Sequence, residues 1–285
     1  MPGVLYIVAT PIGNLDDISL RAIATLQAVD LIAAEDTRHS KFLLDHLGID
    51  KRLVSCHEHN EEARCGMILQ ALQSGDDVAL ISDAGTPLIS DPGYRLVNAV
   101  RDAGMRVIPI PGANSAIVAL SAAGLATESF HFYGFLSAKA GRRAAQLEAM
   151  RDTGGTLVLF ESSHRIKALL QQIGQIFPRQ RCVVAKELTK LHEQFLIGSA
   201  DELLARFDQD DALQRGEFVV LIDNPVDSEA RSGQIDEDKL LRILLDEMPV
   251  AAAARIAARI TGKKKNEFYR QALELRDEGG QGQRD

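Results

Sequence analysis

The segment Ser82-Asp83-Ala84-Gly85-Thr86-Pro87-Leu88-Ile89-Ser90-Asp91-Pro92-Gly93 directly follows the apolar run Val78-Ala79-Leu80-Ile81. Glycine lets a backbone approach a ligand closely, and proline fixes the path of the chain. A tight strand-to-helix turn would explain Gly85 and Pro87, but it would not require two aspartates, a threonine and a second Pro-Gly. We therefore interpret the segment as a ligand-binding loop at the carboxyl edge of an open α/β sheet.

Two more loops rich in glycine or proline follow apolar runs, and they read Ala9-Thr10-Pro11-Ile12-Gly13-Asn14 and Pro109-Ile110-Pro111-Gly112-Ala113-Asn114-Ser115. None of the three loops contains a Gly-x-Gly-x-x-Gly fingerprint or a phosphate-binding Gly-Lys-Ser/Thr sequence. The common nucleotide-binding sites are therefore disfavoured. We expect the three loops to converge on one small ligand of another kind.

Short aliphatic runs alternate with helical patterns through the first half of the chain. Strands are predicted at residues 5–9, 31–34, 78–81 and 107–110, and helices at residues 18–28, 38–47, 61–74, 93–103 and 115–123. Strands that are apolar on both faces are typical of a parallel sheet covered by helices on both sides. The pattern predicts an N-terminal α/β domain over residues 1–118.

A second α/β unit with more edge-like strands follows. Strands are predicted at residues 130–135, 156–160, 181–185 and 218–222, helices at residues 144–152, 165–175 and 201–207, and an exposed basic loop at residues 137–143. This C-terminal α/β domain covers residues 119–224. A polar linker with Pro225 and Gly233 is predicted over residues 225–238.

Composition places the chain of 285 residues among ordinary globular proteins, with 46% hydrophobic and 25% charged residues and a net charge of −8. Its N-terminal apolar run is too short for a signal peptide or a membrane span. Its three cysteines lack the spacing of a disulfide framework, which favours a reducing compartment. We expect a cytoplasmic protein without a membrane partner.

The end of the chain is basic although the whole chain is acidic. Residues 249–276 hold seven basic side chains against two acidic ones, among them Lys263, Lys264 and Lys265. Helical patterns at residues 239–247, 250–260 and 263–277 resemble a helix-turn-helix, so we predict a small helical basic domain over residues 239–278. Either the tail binds an anionic partner such as RNA, or it is a solvated helical face.

Six stretches carry a resemblance to a known family. They are Ala9-Thr10-Pro11-Ile12-Gly13-Asn14-Leu15, Ala34-Glu35-Asp36-Thr37-Arg38, residues 82–93, Pro111-Gly112-Ala113-Asn114-Ser115, Phe160-Glu161-Ser162-Ser163-His164-Arg165 and Lys186-Glu187-Leu188-Thr189-Lys190-Leu191-His192-Glu193. The sequence resembles the tetrapyrrole-methylase-like S-adenosylmethionine-dependent methyltransferases, and within them the branch that acts on ribosomal RNA. The terminal helices resemble the additional helical domain of that branch.

The resemblance implies two α/β domains with S-adenosylmethionine in the cleft between them, in a homodimer. It also implies 2′-O-methylation of a cytidine ribose near the decoding centre of 16S rRNA, in the small ribosomal subunit. The tetrapyrrole branch has Pro-Gly-Asp where Pro11-Ile12-Gly13-Asn14 stands here, and Gly-Asp-Pro where Gly85-Thr86-Pro87 stands. Both differences remove a carboxylate, which disfavours tetrapyrrole chemistry.

Site residues follow from the same resemblance, position by position. The residues implied to contact the methyl donor are Pro11, Ala84, Gly85, Thr86, Ile89, Asn114, Ser115 and Leu188. Glu161 falls where that family closes over the adenosine, and we also treat it as a catalytic candidate.

The proton of a ribose hydroxyl needs an acceptor, because the hydroxyl is a poor nucleophile. Lys186 is predicted to take that proton if burial lowers its pKa, with Glu187 orienting it. In the alternative interpretation, Lys186 and Glu187 form an ion pair that holds the loop. Proximity alone can also supply much of the rate, so a single base is not required.

Cations near the loops are the candidate RNA contacts outside the tail. They are Arg38, Lys139, Arg142, Arg143, His164 and Arg165. Two alternatives stay open: Arg38 pairs with Glu35 or Asp36 as scaffolding, and Ser162 or Ser163 caps the helix that begins near Arg165.

A zinc site at Cys56-His57-x-His59 with Cys65 is disfavoured, because the spacing matches no closed four-ligand site and the proposed chemistry needs no metal. Two rival functions remain beside rRNA methylation. One is methylation of a small molecule or a modified protein residue, and the other is a non-catalytic RNA-binding assembly factor with a relic pocket.

Overall fold

The computed structural model describes residues 1–57, 60–224 and 237–280, with the side chains of residues 237–239, 274 and 276–280 left out. The chain forms two compact units, Met1–Pro225 and Val226–Asp285. Most of the predicted linker, residues 225–236, lies outside the described residues.

The first sheet has five parallel strands in the order β3-β2-β4-β1-β5. They are β1 (Val4–Val8), β2 (Leu31–Ala34), β3 (Arg52–Ser55), β4 (Val78–Ile81) and β5 (Arg106–Ile110). The predicted parallel sheet is confirmed. Strand β3 was not predicted, because it lies at the edge and offers only Leu53 and Val54 as an apolar signal.

Helices cover both faces of this sheet. They are α1 (Leu20–Ala28), α2 (Thr37–His46), α3 (Glu61–Ser74) and α4 (Tyr94–Asp102). Side chains alternate along each strand, so in β4 Ala79 packs in the core with α1 and α2, whereas Leu80 packs in the core with α3 and α4. Burial on both faces explains why the strands are continuous aliphatic runs.

The second sheet is mixed, in the order β6-β7-β10-β8-β9, with β6 and β7 parallel and the other neighbours antiparallel. Its strands are β6 (Phe130–Phe135), β7 (Gly155–Ser162), β8 (Cys182–Lys186), β9 (Gln194–Gly198) and β10 (Glu217–Asn224). One face packs against α6 (Ala140–Met150), α7 (Ile166–Ile176) and α8 (Ala200–Gln209). The short, half-polar edge strand β9 was not predicted.

Helix α5 (Ser115–Ala122) covers the opposite face of the second sheet. Its small buried residues Ala116 and Ala119 pack with Val158, Val183 and Leu221. The chain thus passes directly from β5 of the first sheet to a helix that belongs to the core of the second. The predicted domain boundary at residue 118 falls inside α5, and the domain bounds remain a prediction.

The exposed loop predicted over residues 137–143 is wrong in its second half. Helix α6 begins at Ala140, and Arg143 lies in its first turn, 5% exposed. The Arg143 side chain donates from Nε to Oε1 of Gln172 on α7. A basic residue near a glycine resembles a loop in sequence, but here the arginine is part of the buried helix face.

The second unit is a bundle of three helices, α9 (Glu237–Glu247), α10 (Val250–Thr261) and α11 (Lys265–Gly280). Its core consists of Leu241, Val250, Ala253, Ala254, Ala257, Phe268 and Ala272. Pro249 precedes α10, and Gly262 ends it in the left-handed conformation, with φ of 74°. The exposed Lys263, Lys264 and Lys265 therefore lie in the turn before α11 and at its start.

Candidate active site

The three loops predicted to converge meet at the carboxyl edge of the first sheet. Thr10 and Gly85 exchange two backbone hydrogen bonds, of 2.9 and 3.1 Å. The Thr86 hydroxyl donates to the carbonyl oxygen of Ala113 at 3.0 Å. A Cβ atom on Gly112 would lie 2.9 Å from the Cβ atom of Ala9, so this approach requires glycine. The predicted convergence is confirmed.

A first cavity of about 450 Å³ opens where these loops face the second sheet. Its lining includes most of the residues that were predicted to contact the donor, namely Ala84, Gly85, Thr86, Ile89, Asn114, Ser115 and Leu188. Asn114 caps α5 by accepting hydrogen bonds from the backbone of Ala116 and Ile117. The opposite wall is apolar, with Phe160 and Val219 among its residues. The cavity is therefore shaped by both sheets.

A second cavity of about 380 Å³ lies beside the first. Ile12, Ala84 and Glu217 line both cavities and form a common wall between them. Pro11, predicted at the donor, lines the second cavity instead. Its remaining lining comes largely from α2 and the first loop, so sequence reasoning on the loops alone did not separate the two spaces.

Asp91 lines the first cavity and is the main site residue that the sequence analysis did not name individually. Burial, together with the smaller effect of the charges of Glu35 and Asp83, raises the pKa of Asp91 to about 6, and a hydrogen bond from Ser82 opposes this shift. Burial also raises the pKa of Glu35. The presence of two aspartates in residues 82–93 was the signal that could have identified this group.

Lys186, the predicted base, is not among the residues that line the first cavity. Side chains alternate along β8, and Ala185 lines the cavity. Lys186 lies on the other face with Cys182 and Val184, which pack in the core with α6 to α8. It is 6% exposed. The structure does not bring this amine to the loops.

Glu161 lies in the same row across the sheet, because β10 residue Phe218 pairs with both Glu161 and Lys186. The Glu161 carboxylate is buried, and Arg165 Nε lies 2.9 Å from its Oε1 atom. Arg165 also donates from Nη2 to Glu161 Oε2 at 3.0 Å and to the Leu136 carbonyl at 2.7 Å. Glu161 contributes to the cavity wall, but its carboxylate is held by Arg165.

Glu187 holds the loop after β8. Its carboxylate accepts hydrogen bonds from the Glu217 backbone at 2.9 Å and from Lys190 Nζ at 3.0 Å. Burial would raise the pKa of Glu187, but these hydrogen bonds outweigh it and lower the pKa. Lys190 also donates to Glu217 Oε2 at 2.9 Å. The loop-holding alternative therefore describes the observed contacts of Glu187, with Lys190 as its partner.

Left-handed backbone occurs at four non-glycine positions of the described residues. Leu88 and Ser90 have φ of 73° and 71° in the loop before α4, and Glu187 and Thr189 have φ of 51° and 66° after β8. Both loops border the first cavity. Side-chain-bearing residues adopt this conformation at a cost of about 1–3 kcal/mol each.

The predicted RNA-contacting cations are distributed unevenly. Arg38 is exposed at the start of α2 and lies 3.5 Å from Asp36. Lys139, Arg142 and His164 are exposed. Arg143 is buried, so its assignment as a surface cation is wrong. Arg165 itself is the N-cap of α7, without a side-chain cap, so the alternative in which Ser162 or Ser163 caps this helix is not observed.

The cysteines lie mostly in the core. Burial raises the pKa of Cys56 to about 11 and that of Cys182 to about 12. Of the zinc candidates, His59 lies outside the described residues, and the described ones contain no group of three or more potential metal ligands. No helix in the described parts of the chain has the length and apolar character required to cross a membrane.

Comparison with known proteins agrees with this geometry. The family model for Tetrapyrrole (Corrin/Porphyrin) Methylases matches residues 4–204, which include the three loops and most of the second sheet. The chain belongs to the tetrapyrrole methylase family. A second model, the RsmI C-terminal HTH domain, matches residues 232–276 of this tetrapyrrole methylase. The predicted family and fold class are confirmed.

Curated tetrapyrrole methylases similar to this chain share a name. "Ribosomal RNA small subunit methyltransferase I" of Escherichia coli O157:H7 is 48% identical over 275 residues, which is 95% of either chain. The protein of the same name from Pseudomonas aeruginosa is 47% identical over 95% of this chain and 97% of its own. These relatives define the branch of the family in which the chain lies.

Solved structures share the tetrapyrrole methylase fold at low sequence identity. A diphthine synthase has a TM-score of 0.61 at 16% identity, covering 77% of this chain and 90% of its own. Uroporphyrin-III C-methyltransferase from Thermus thermophilus has a TM-score of 0.57 at 21% identity, covering 80% and 98%. The latter enzyme has also been solved with S-adenyl homocysteine, with a TM-score of 0.55 at 18% identity, covering 77% and 97%.

Proposed function

We propose that this chain transfers a methyl group from S-adenosylmethionine to the 2′-hydroxyl of a cytidine in 16S rRNA. One observation carries the proposal: the relatives named ribosomal RNA small subunit methyltransferase I match 95% of this chain, including the helical unit. The rRNA substrate follows from these relatives. The cytidine, the 2′ position and the small subunit as substrate come from the family resemblance.

The first cavity fits the methyl donor. Its volume of about 450 Å³ lies within the range of about 300–1,000 Å³ that is usual for small-molecule sites. Apolar side chains such as Leu188 and Val219 offer surfaces for a purine ring, and Asp91 offers a carboxylate to a cationic ligand. S-adenosylmethionine, when bound, supplies an electrophilic methyl group on a positively charged sulfur atom.

The residues of the chain hold and orient the reactants. Gly85, with φ of 82°, lets the backbone lie against the ligand, and Thr86 fixes the neighbouring loop through Ala113. Phe135 and Phe160 line one side of the cavity with aromatic rings whose centroids are 5.6 Å apart. Orientation of this kind contributes much of the rate of a bimolecular transfer.

Asp91 is the group in the first cavity that is best suited to receive the proton of the ribose hydroxyl. Its pKa of about 6 leaves it mostly ionised at neutral pH but more basic than an exposed aspartate. Lys186, on the far face of the sheet, remains a prediction as the alternative acceptor. We include Asp91 in the proposal for this reason.

RNA docking is assigned to exposed cations of both units. Arg38, Lys139 and Arg142 belong to the first unit, and the Lys263–Lys265 turn belongs to the second. Contacts of lysine and arginine with phosphate make binding sensitive to salt. A homodimer in the cytoplasm completes the proposal, supported by the family resemblance and by the three free thiols.

The rival functions are less well supported. The site lacks the two loop aspartates of the tetrapyrrole branch, because Gly13-Asn14 and Thr86 stand in their place, and this disfavours a small-molecule substrate of that kind. The relatives above are named for ribosomal RNA. A non-catalytic RNA-binding factor would not need the open first cavity and its partly buried Asp91.

The test uses the full chain, labelled S-adenosylmethionine and small ribosomal subunits from a bacterial strain that lacks this activity. We expect label in 16S rRNA and, by nuclease mapping, on one cytidine ribose. Label in a small-molecule extract but none in RNA would support the first rival. Binding of subunits without any transfer would support the second.

A further inference from the structure

The lining of the second cavity combines buried polar groups with one exposed aromatic side chain. Ser40, 3% exposed, lines it, and the Ser40 hydroxyl oxygen is buried without a hydrogen-bond partner among the described residues. A buried hydroxyl without a hydrogen-bond partner destabilises the fold unless a ligand supplies that partner. Phe42 lines the same cavity and is 68% exposed.

We propose that the second cavity receives the target nucleotide, extruded from the RNA, with its base against Phe42 and its polar edge toward Ser40 and Asp83. This inference rests on the proposed function and assigns the acceptor side of the same site. The common wall of Ile12, Ala84 and Glu217 then separates the base from the donor.

The position of the cavity suits an acceptor. Methyl transfer requires the two reactants to approach within about 3–3.5 Å, so their binding spaces must adjoin. The second cavity meets this requirement, because it shares Ile12, Ala84 and Glu217 with the lining of the first. Its volume of about 380 Å³ suits one extruded nucleotide and excludes a base-paired helix.

The polar groups suit a base that carries an amino group. Asp83 Oδ1 accepts the backbone N–H of Asp36 at 3.0 Å, which fixes the carboxylate against the start of α2. Its other oxygen has no hydrogen-bond donor among the described residues and is free to accept one. A carboxylate accepts a hydrogen bond from the exocyclic amino group of cytosine. The carbonyl oxygen at the same position of uracil would repel the carboxylate.

The exposed helix face suits a splayed RNA strand. Phe42 lies four residues after Arg38 on α2, so both side chains occupy one face of the helix. Single-stranded RNA is bound by stacking of bases on aromatic rings together with cation contacts to phosphate. Arg38, with its side chain 92% exposed, is placed for the flanking phosphate.

The experiment compares Phe42→Ala, Phe42→Tyr and Ser40→Ala in the full chain, with small ribosomal subunits as substrate. Phe130→Ala serves as the matched control, because Phe130 is also exposed and lies at the other end of β6 from the first cavity. Steady-state rates give KM for subunits, and calorimetry gives Kd for S-adenosylhomocysteine. Thermal melting of each variant checks that it is folded.

We expect Phe42→Ala to raise KM for subunits at least tenfold, while Kd for S-adenosylhomocysteine stays within twofold. Phe42→Tyr should keep KM within threefold, and Ser40→Ala should lower kcat/KM about fivefold or more. Phe130→Ala should change none of these. An unchanged KM in Phe42→Ala, with the wild-type chain active, would overturn the cavity assignment. No transfer by the wild-type chain would instead overturn the proposed function.

A second measurement locates the base directly. Replacement of Phe42 by the photoreactive amino acid p-benzoylphenylalanine should give a crosslink at the methylated nucleotide or its immediate neighbour. The same replacement at Phe130 should give no crosslink there. A crosslink from position 42 only to distant rRNA would contradict the proposal even if methylation persists.

Discussion

Arg165 closes over Glu161 in a two-point contact, with Nε 2.9 Å from Oε1 and Nη2 3.0 Å from Oε2. The carboxylate is fully buried, and the guanidinium is 27% exposed. Because Arg165 also donates to the Leu136 carbonyl, the pair ties the end of β7 to the segment after β6. This relationship explains both residues as parts of the cavity wall.

Loss of Arg165 should therefore act mainly on the stability of the protein and less on RNA binding. We expect Arg165→Ala to lower the free energy of unfolding by about 2–3 kcal/mol, because it leaves a buried carboxylate unpaired. Urea denaturation, followed by circular dichroism, measures this free energy of unfolding. Arg142→Ala, an exposed cation on α6, is the control and should change stability by less than about 0.5 kcal/mol. Equal stability of both variants would contradict the structural role.

Asp91 and Lys186 compete for the role of proton acceptor, and substitution separates them. We expect Asp91→Asn to lower kcat about 100-fold or more, the usual size of general base catalysis. Lys186→Met should retain kcat within about threefold, because its side chain faces the core of α6 to α8. Single-turnover methyl transfer measures both. The reverse ranking would restore Lys186 as the base.

The activity should depend on pH through Asp91. Because burial raises its pKa to about 6, the fraction of ionised carboxylate, and with it the single-turnover rate, should increase from pH 5 to pH 7 and then level off. A rate profile between pH 5 and 9 with saturating donor measures the inflection. An inflection near pH 9 would indicate an amine instead.

Asp91 should also make stability depend on pH, with a definite sign. Its pKa in the folded chain lies above the usual 3.8, so folding favours the protonated form, and this contribution is lost as pH rises through about 6. Asp91→Asn should therefore melt at a higher temperature than the wild type at pH 8. The difference should shrink at pH 5. A difference in melting temperature that stays the same from pH 5 to pH 8 would contradict this direction of the pKa shift.

The basic turn of the helical unit should control the salt dependence of subunit binding. We expect replacement of Lys263, Lys264 and Lys265 by alanine to weaken binding and to reduce the slope of log Kd against log salt by up to about two. The matched triple replacement by arginine should preserve the slope. Donor binding should be unchanged in both. An unchanged slope in the alanine variant would show that these lysines do not contact the phosphates of the subunit.

The parts of the fold that sequence predicted are those with strong local signals. Aliphatic runs such as Val78–Ile81 marked strands buried on both faces, and the loop around Gly85 marked the binding edge. The edge strands β3 and β9 were missed because a short strand with one covered face carries few apolar residues. The family itself was visible because its motifs lie in consecutive order along the chain.

The candidate site was harder to predict at the level of single side chains. Lys186 ends a strand in the expected motif, but side chains alternate along β8, so Lys186 lies on the face opposite Ala185, and the motif alone does not tell which of the two faces borders the cavity. Arg143 was predicted to be a surface cation, because the residues around it in sequence give no indication of its buried contact with Gln172. Asp91 acquires its raised pKa mainly from burial, with smaller contributions from the charges of Glu35 and Asp83, and a sequence pattern does not show how deeply a loop carboxylate is buried.

The left-handed residues Leu88, Ser90, Glu187 and Thr189 have a practical consequence for anyone wishing to engineer a more heat-resistant enzyme. Glycine at these positions would relieve the local penalty, yet it would also loosen the two rims that give the pocket its outline. Gains in melting temperature should be sought on the outer helices, and these four positions left untouched.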